Sequence, residues 1–289
     1  MDYVGNVIRP PSEADSIILQ TTVGCSHNRC TFCGAYKDVR FRIKEEHIVD
    51  RDLRNASLLF PEKKKLFLAD GDVLTISQKR LVRLLRKIQE ELPNVSRVRL
   101  YGSAKSILSK TPSQLKELST LGLDRIYMGL ESGDDSVLER IGKWGNSDTM
   151  IAAAERAKAA AIFLSVTVLL GVAGEGLSRE HAEKTAAALN RMAPNQIAAL
   201  TLMLIPGTPL DNQKRDNKFS LPKPDGLLRE LRTLIEGITL QRTQFQANHA
   251  SNYLPINCRL IRDKEKVLQQ IDLALAGRKP LMPEFMRGL

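Results

Sequence analysis

From about residue 15 to residue 210, short apolar or β-branched runs alternate with longer stretches whose apolar positions recur every three or four residues. The first pattern is that of strands and the second that of amphipathic helices. It predicts six strands, at residues 16–23, 65–69, 98–101, 125–129, 162–170 and 196–205. Helices are expected between them near 45–59, 77–91, 112–121, 149–160 and 179–191. The last four are rich in residues that form helices at little cost. Strand–helix alternation of this kind produces parallel strands joined by right-handed crossovers. The expected fold class is therefore α/β, a partial (β/α)6 TIM-like barrel with a helical C-terminal extension. In such folds ligands gather at the C-terminal ends of the strands.

The pattern also divides the chain. Residues 1–14 read as an N-terminal extension, 15–210 as the barrel core, and 211–289 as a helical and loop extension covering the active site. Within that extension, helices are expected at 227–240 and 263–276. The closing stretch KPLMPEFMRGL has no periodicity and is expected to be loosely held.

Composition narrows the class. With 43% hydrophobic and 26% charged residues, the chain can bury a sizeable core. Its longest apolar runs, 197–205 and 166–173, fall well short of the ~20 residues that span a bilayer. The first fifteen residues carry no basic-then-apolar leader, so a cytoplasmic location and no membrane partner are expected. The net charge of +10 permits phosphate-rich partners, yet the basic residues are scattered, with Lys63-Lys64-Lys65 the one dense cluster.

Candidate chemistry concentrates after the first predicted strand, in Gly24-Cys25-Ser26-His27-Asn28-Arg29-Cys30-Thr31-Phe32-Cys33-Gly34. Three of the four cysteines lie within nine residues, a density that points to metal ligation in a reducing compartment. An iron–sulfur cubane on three thiolates keeps one iron without a protein ligand, a place for chemistry. A zinc site that adds His27 is the rival, since zinc favours four Cys or His ligands. Three small buried cysteines without a metal are the plainest alternative.

The loop resembles the cluster loop of the radical S-adenosylmethionine (SAM) superfamily, whose usual spacing is Cys-x3-Cys-x2-Cys with an aromatic residue before the third cysteine. Phe32 holds the aromatic position, and four residues rather than three separate Cys25 from Cys30. Further segments agree with the superfamily. Ala69-Asp70-Gly71-Asp72 resembles the segment that receives the amino group of SAM. Gly129-Leu130-Glu131-Ser132-Gly133 resembles a Gly-x-Glu-Ser-Gly pattern whose glutamate accepts the ribose hydroxyls. Gly171-Val172-Ala173-Gly174-Glu175 resembles the segment lying against adenine, and Pro206-Gly207-Thr208-Pro209 a closing turn. Taken one at a time, these are ordinary turn and cap sequences.

The resemblance implies a [4Fe-4S] cluster on Cys25, Cys30 and Cys33, and SAM as the second cofactor. Phe32, Asp70, Gly71, Asp72, Glu131, Ser132 and Gly171 become candidate cofactor-binding residues, with Ser103 and Lys105 in reach of the SAM carboxylate or the substrate. It also implies a one-electron reductant such as flavodoxin or ferredoxin. The motif set is closest to the subgroup with methylthiotransferases, elongator-type tRNA enzymes and coproporphyrinogen dehydrogenases.

For the later steps, the polar and aromatic stretch 245–255 offers His249 and Tyr253 as a proton relay, with Cys258 as a hydrogen-atom donor. Turn capping by Asn248 and Ser251, with Cys258 as a small buried hydrophobe, is the plainer alternative. Only Cys258 remains outside the loop, which disfavours a second cysteine-held cluster. The leading expectation is a radical SAM enzyme acting on a small molecule or cofactor precursor. RNA (tRNA) modification is the alternative, and a non-catalytic metal-binding module the alternative of another class.

Overall fold

The structure, a computed structural model, describes residues 1–288. In chain order its main elements are β1 (Ile17–Gln20), β2 (Thr22–Val23), β3 (Arg42–Ile43), α1 (Glu46–Leu59), β4 (Lys65–Ala69), α2 (Gln78–Glu91) and β5 (Arg97–Tyr101). There follow α3 (Ala104–Leu108), α4 (Pro112–Thr120), β6 (Leu123–Glu131), α5 (Asp135–Arg140), α6 (Ser147–Ala159), β7 (Phe163–Leu170) and α7 (Ser178–Met192). The rest is β8 (Gln196–Thr201), α8 (Pro209–Arg215), α9 (Pro224–Gly237), β9 (Gln244–Gln246), β10 (Asn257–Arg259) and α10 (Leu260–Leu275). The α/β class read from the periodicity stands, with mostly parallel strands.

The chain falls into two compact units. The first holds Met1–Asn28, Ala35–Met128 and Glu155–Leu164. Here β1, β4, β5 and the start of β6 run parallel in that order, so Leu19, Leu68, Leu100 and Ile126 stand side by side. Each is at most 2% exposed. On the opposite face Phe67, Tyr101 and Tyr127 meet edge to face, with ring centroids 5.2–6.1 Å apart. Below them Arg99 donates to Glu13 at 2.8 Å and to Asp124 at 3.1 Å, a buried pair that anchors the N-terminal extension. β2 and β3 form a separate antiparallel ribbon, Val23 opposite Arg42.

The second unit holds Arg29–Gly34, Gly129–Ala154 and Ser165–Leu289. β7 and β8 pair in parallel over six residues, from Ser165 opposite Gln196 to Leu170 opposite Thr201. β9 adds in parallel to β8, and β10 runs antiparallel to β9. α9 packs between α7 and α10. The C-terminal extension is thus helical as expected, but it also contributes two short strands.

Two expectations need correction. β8 ends at Thr201, not at 205, because the Ser251 hydroxyl takes the Thr201 amide at 3.2 Å and the Asn252 amide oxygen takes the Thr201 hydroxyl at 2.8 Å. The apolar residues that follow, Leu202 and Leu204, leave the ladder for a cluster around Leu138, Leu169, Val172 and Phe219. The described part of the closing stretch, residues 279–288, is not loosely held. Arg287 donates to Ser251 O at 2.8 Å and lies 3.8 Å over the Tyr253 ring, and Met282 N donates to Tyr253 O.

Candidate active site

In the first unit the residues after β4 fold back against the start of the cysteine loop. Gly71 N donates to Gly24 O at 3.2 Å. A Cβ at position 71 would lie 3.0 Å from Cys25 Cβ and from the Tyr36 ring, so glycine leaves room for this close approach. Asp72, 1% exposed, is a hub: it accepts the hydroxyls of Ser26 at 2.8 Å, Ser103 at 2.7 Å and Ser106 at 2.6 Å. The residue beside Cys25 is thereby tied to the ends of β4 and β5. Asp70 accepts Tyr36 OH at 2.6 Å and Gln20 Nε2 at 3.2 Å. Burial raises the Asp70 carboxyl above its ordinary range against the pull of those two donors. Burial, then Asp70 itself, pushes the Tyr36 hydroxyl up as well.

Asp72 and Ser103 turn their side-chain polar atoms inward, to each other, to Ser26 and to α3, whose N-cap is Ser103. They brace the loop from within the protein. Lys105 lies exposed on α3. The buried cation of this region is instead Lys110, which donates to Ile76 O at 2.6 Å and whose pKa burial lowers.

In the second unit Cys30 and Cys33 sit on a short turn, with Cys33 N bonded to Cys30 O at 3.3 Å. Thr31 N donates to Ile141 O and Leu210 N to Thr31 O, at 2.8 and 3.0 Å. Phe32 packs against the apolar cluster of Leu138, Ile141 and Leu210. Its ring thus fastens the turn to the end of α5 and the start of α8. None of the four cysteines is in a disulfide; the three of the loop are partly exposed and Cys258 is buried. Among the described residues, no three Cys, His, Asp or Glu side chains are already gathered as a metal-ready group.

Glu131, the last residue of β6, has φ 65°, a left-handed conformation that is costly for a residue with a Cβ. Lys143 Nζ donates to its Oε1 at 2.9 Å. A Cβ at Gly129 would fall 2.0 Å from that oxygen and 2.9 Å from Nζ, so glycine there makes room for the pair. Gly171, with φ 82°, opens the turn after β7, and Arg140 donates to the carbonyls of Val172 and Ala173 at 3.3 and 2.7 Å. Behind these turns stand Ser132, His181 and Glu230, all buried. Burial drives His181 down to about 4 and Glu230 up to about 7. Sequence reasoning missed Lys143, Arg140, His181 and Glu230, none of which lies in a recognisable motif.

The C-terminal candidates each have partners of their own. His249 Nδ1 accepts Ser251 N at 3.1 Å and lies 2.9 Å from Ser251 Oγ, while Tyr253 OH donates to Glu284 at 2.5 Å. The two rings hydrogen-bond to different partners, Ser251 and Glu284. Burial lowers the His249 pKa, and burial with the Glu284 hydrogen bond pushes Tyr253 up to about 12. Cys258 stands opposite Phe245, itself opposite Ile197 near the start of β8. That is the far end of the strand from the motif segments. Burial lifts its thiol to about 11, so it stays protonated; its burial and its place at that end of the strand favour the small buried hydrophobe.

A family model described as the radical SAM superfamily matches residues 19–189, more than half of the chain. The chain belongs to the radical SAM superfamily. Among curated relatives, a heme chaperone HemW of Bacillus subtilis is 24% identical over 164 residues, 56% of this chain and 42% of that protein. A 4'-phospho-dehydrooxetanocin synthase of Priestia megaterium is 25% identical over 178 residues, 54% of this chain and 23% of that protein. The chain thus spans less than half the length of these relatives. Solved structures share the fold. The methyltransferase TsrM of Kitasatospora setae matches with TM-score 0.57 and 16% identity, over 69% of this chain and 39% of its own. Elp3 of Methanocaldococcus infernus matches with TM-score 0.56 and 12% identity, over 92% of this chain and 64% of its own.

Proposed function

We propose that this chain is a radical SAM enzyme that holds one [4Fe-4S] cluster, binds SAM and acts on a small molecule or cofactor precursor. The observation that carries this reading is the family match over residues 19–189, which takes in all three loop cysteines and the segment 129–133. Cys25, Cys30 and Cys33 would hold the cluster. The donor set fits: thiolates are the ligands such clusters take, and three of them leave one iron to SAM. The backbone fits too, because Gly71 keeps the chain pressed on Cys25 without a side chain between.

When bound, the cluster would supply one electron for the reductive cleavage of SAM, the chemistry from which hydrogen-atom abstraction follows. The protein's part is holding and orienting. Asp72 fixes Ser26 and through it the loop beside Cys25. Glu131, oriented by Lys143, would accept the ribose hydroxyls. The turn at Gly171 would lie against adenine. A one-electron donor such as flavodoxin or ferredoxin is the expected protein partner. The names of the two relatives, a heme chaperone and a dehydrooxetanocin phosphate synthase, support a substrate of small or cofactor size.

The test is anaerobic reconstitution with iron and sulfide, then dithionite reduction with SAM, comparing wild type with Cys30→Ala. Wild type is expected to form an oxygen-sensitive cluster and release 5'-deoxyadenosine, and the variant to release none. A wild type that takes up zinc and leaves SAM intact would sink the reading in favour of a non-catalytic metal-binding module.

A further inference from the structure

The two left-handed turns at the strand ends of the second unit, Glu131 at φ 65° and Gly171 at φ 82°, share one buried polar support. Glu230, on α9 of the C-terminal extension, accepts the Gly171 amide on Oε1 at 2.7 Å and the Ser178 hydroxyl on Oε2. His181, on α7, places Nε2 3.4 Å from that same Oε1. Its Nδ1 lies 2.8 Å from the hydroxyl of Ser132, the residue after Glu131. Ser132 Oγ in turn accepts the Asp134 amide at 3.0 Å. His181 and Glu230 are each 2% exposed and Ser132 is 0% exposed.

A buried polar chain in which every member has a partner holds its geometry tightly, because losing one partner strands the others in a low dielectric. The support is specific to the turns. Leu227, one helical turn before Glu230, fills the space beside Gly171, where a Cβ would meet its Cδ2 at 2.8 Å. α9 therefore fixes the Gly171 turn twice, by packing and by accepting its amide.

We propose that Glu230 and His181 are positioning residues that set the Gly171 and Ser132 turns to receive the adenosine end of SAM. This rests on the SAM reading above and deepens it: the C-terminal extension shapes the cofactor site from behind. Neither side chain needs to touch SAM.

The test measures SAM and L-methionine affinity of the anaerobically reconstituted holoenzyme by equilibrium dialysis, with iron content and the thermal midpoint recorded alongside. Glu230→Ala is expected to weaken SAM binding about tenfold while L-methionine affinity and iron content stay near wild type. Glu230→Gln, which keeps an oxygen for the Gly171 amide, restores most of that loss. Glu230→Asp keeps the charge but falls short of Gly171, and weakens SAM without unfolding the chain, so the question survives an unfolded alanine variant. Unchanged SAM affinity in Glu230→Asp, or equal losses for SAM and L-methionine, would overturn the proposal. A wild type that forms its cluster yet binds no SAM overturns the underlying reading instead.

Discussion

Glu230 and His181 are both driven by burial toward their neutral forms, to about 7 and about 4, from ordinary values of about 4.3 and 6.5. The signs oppose. Glu230 holds its proton more tightly when folded, so its contribution is full below about pH 4.3 and is lost as pH rises through about 7. His181 holds its proton less tightly when folded, so its contribution is full above about pH 6.5 and is lost as pH falls through about 4. Between about pH 4.5 and 6.5 the two slopes largely cancel. Glu230→Gln removes the falling slope, and its thermal midpoint should therefore climb with pH across that window. His181→Gln should do the reverse. With about 1.4 kcal/mol for each unit of displacement, the swing is on the order of 2–3 kcal/mol. Midpoints of both variants that track wild type at every pH would show that neither group titrates in that window. None of this was legible in the sequence, where His181 is one residue of an amphipathic helix and Glu230 one of many surface-patterned glutamates. Asp72 was legible as a site residue but not in its role, since Ser26 and Ser103 reach it across 46 and 31 residues of chain.

At the scale of elements, periodicity sufficed where it was long. Helices expected at 45–59, 77–91 and 112–121 are found at Glu46–Leu59, Gln78–Glu91 and Pro112–Thr120. Three-residue strands such as β9 and β10 are too short to alternate, and their pairing depends on partners elsewhere in the fold. The closing stretch misled for a related reason: its order comes from single side chains. Arg287 is the chief of these, its side chain 3% exposed, hydrogen-bonded to Ser251 O and stacked on Tyr253. Arg287→Ala removes a charged hydrogen bond worth about 1.5–3 kcal/mol and a stacking contact worth about 0.5–1 kcal/mol. Much of that loss should appear as local opening. Hydrogen exchange at the Met282 and Gly288 amides, which donate to Tyr253 O and Ala250 O, is expected to speed by about tenfold or more. Core amides of β7 and β8 should keep their protection. Unchanged exchange at both tail amides would show that Arg287 is not what holds the stretch.

For the whole molecule, the order of motifs after successive strands was readable because each follows a strong apolar run. The partition into two units was not, because it joins residues 29–34 to 129–154 and to 165–289 through contacts between distant segments. The charge excess of +10 is likewise a whole-molecule property. Much of the basic surface is already answered by carboxylates: Arg83 by Glu46, Lys87 by Asp50, Arg191 by Asp148, and Arg232 by Glu236 and Asp272. Paired cations of this kind add little to a long-range field at physiological salt, where screening acts over about 8 Å. On the proposed small-molecule reading, a chain with such a surface should bind tRNA only nonspecifically, with a dissociation constant of about 10 µM or weaker near physiological salt. Filter binding of unmodified tRNA at low and physiological salt measures this directly. Weak binding that fades as salt rises is the expected outcome, together with 5'-deoxyadenosine release that tRNA does not stimulate. Submicromolar binding that persists at physiological salt, with tRNA-dependent SAM cleavage, would move the substrate from a small molecule to RNA while leaving the cluster and its cysteines where they are.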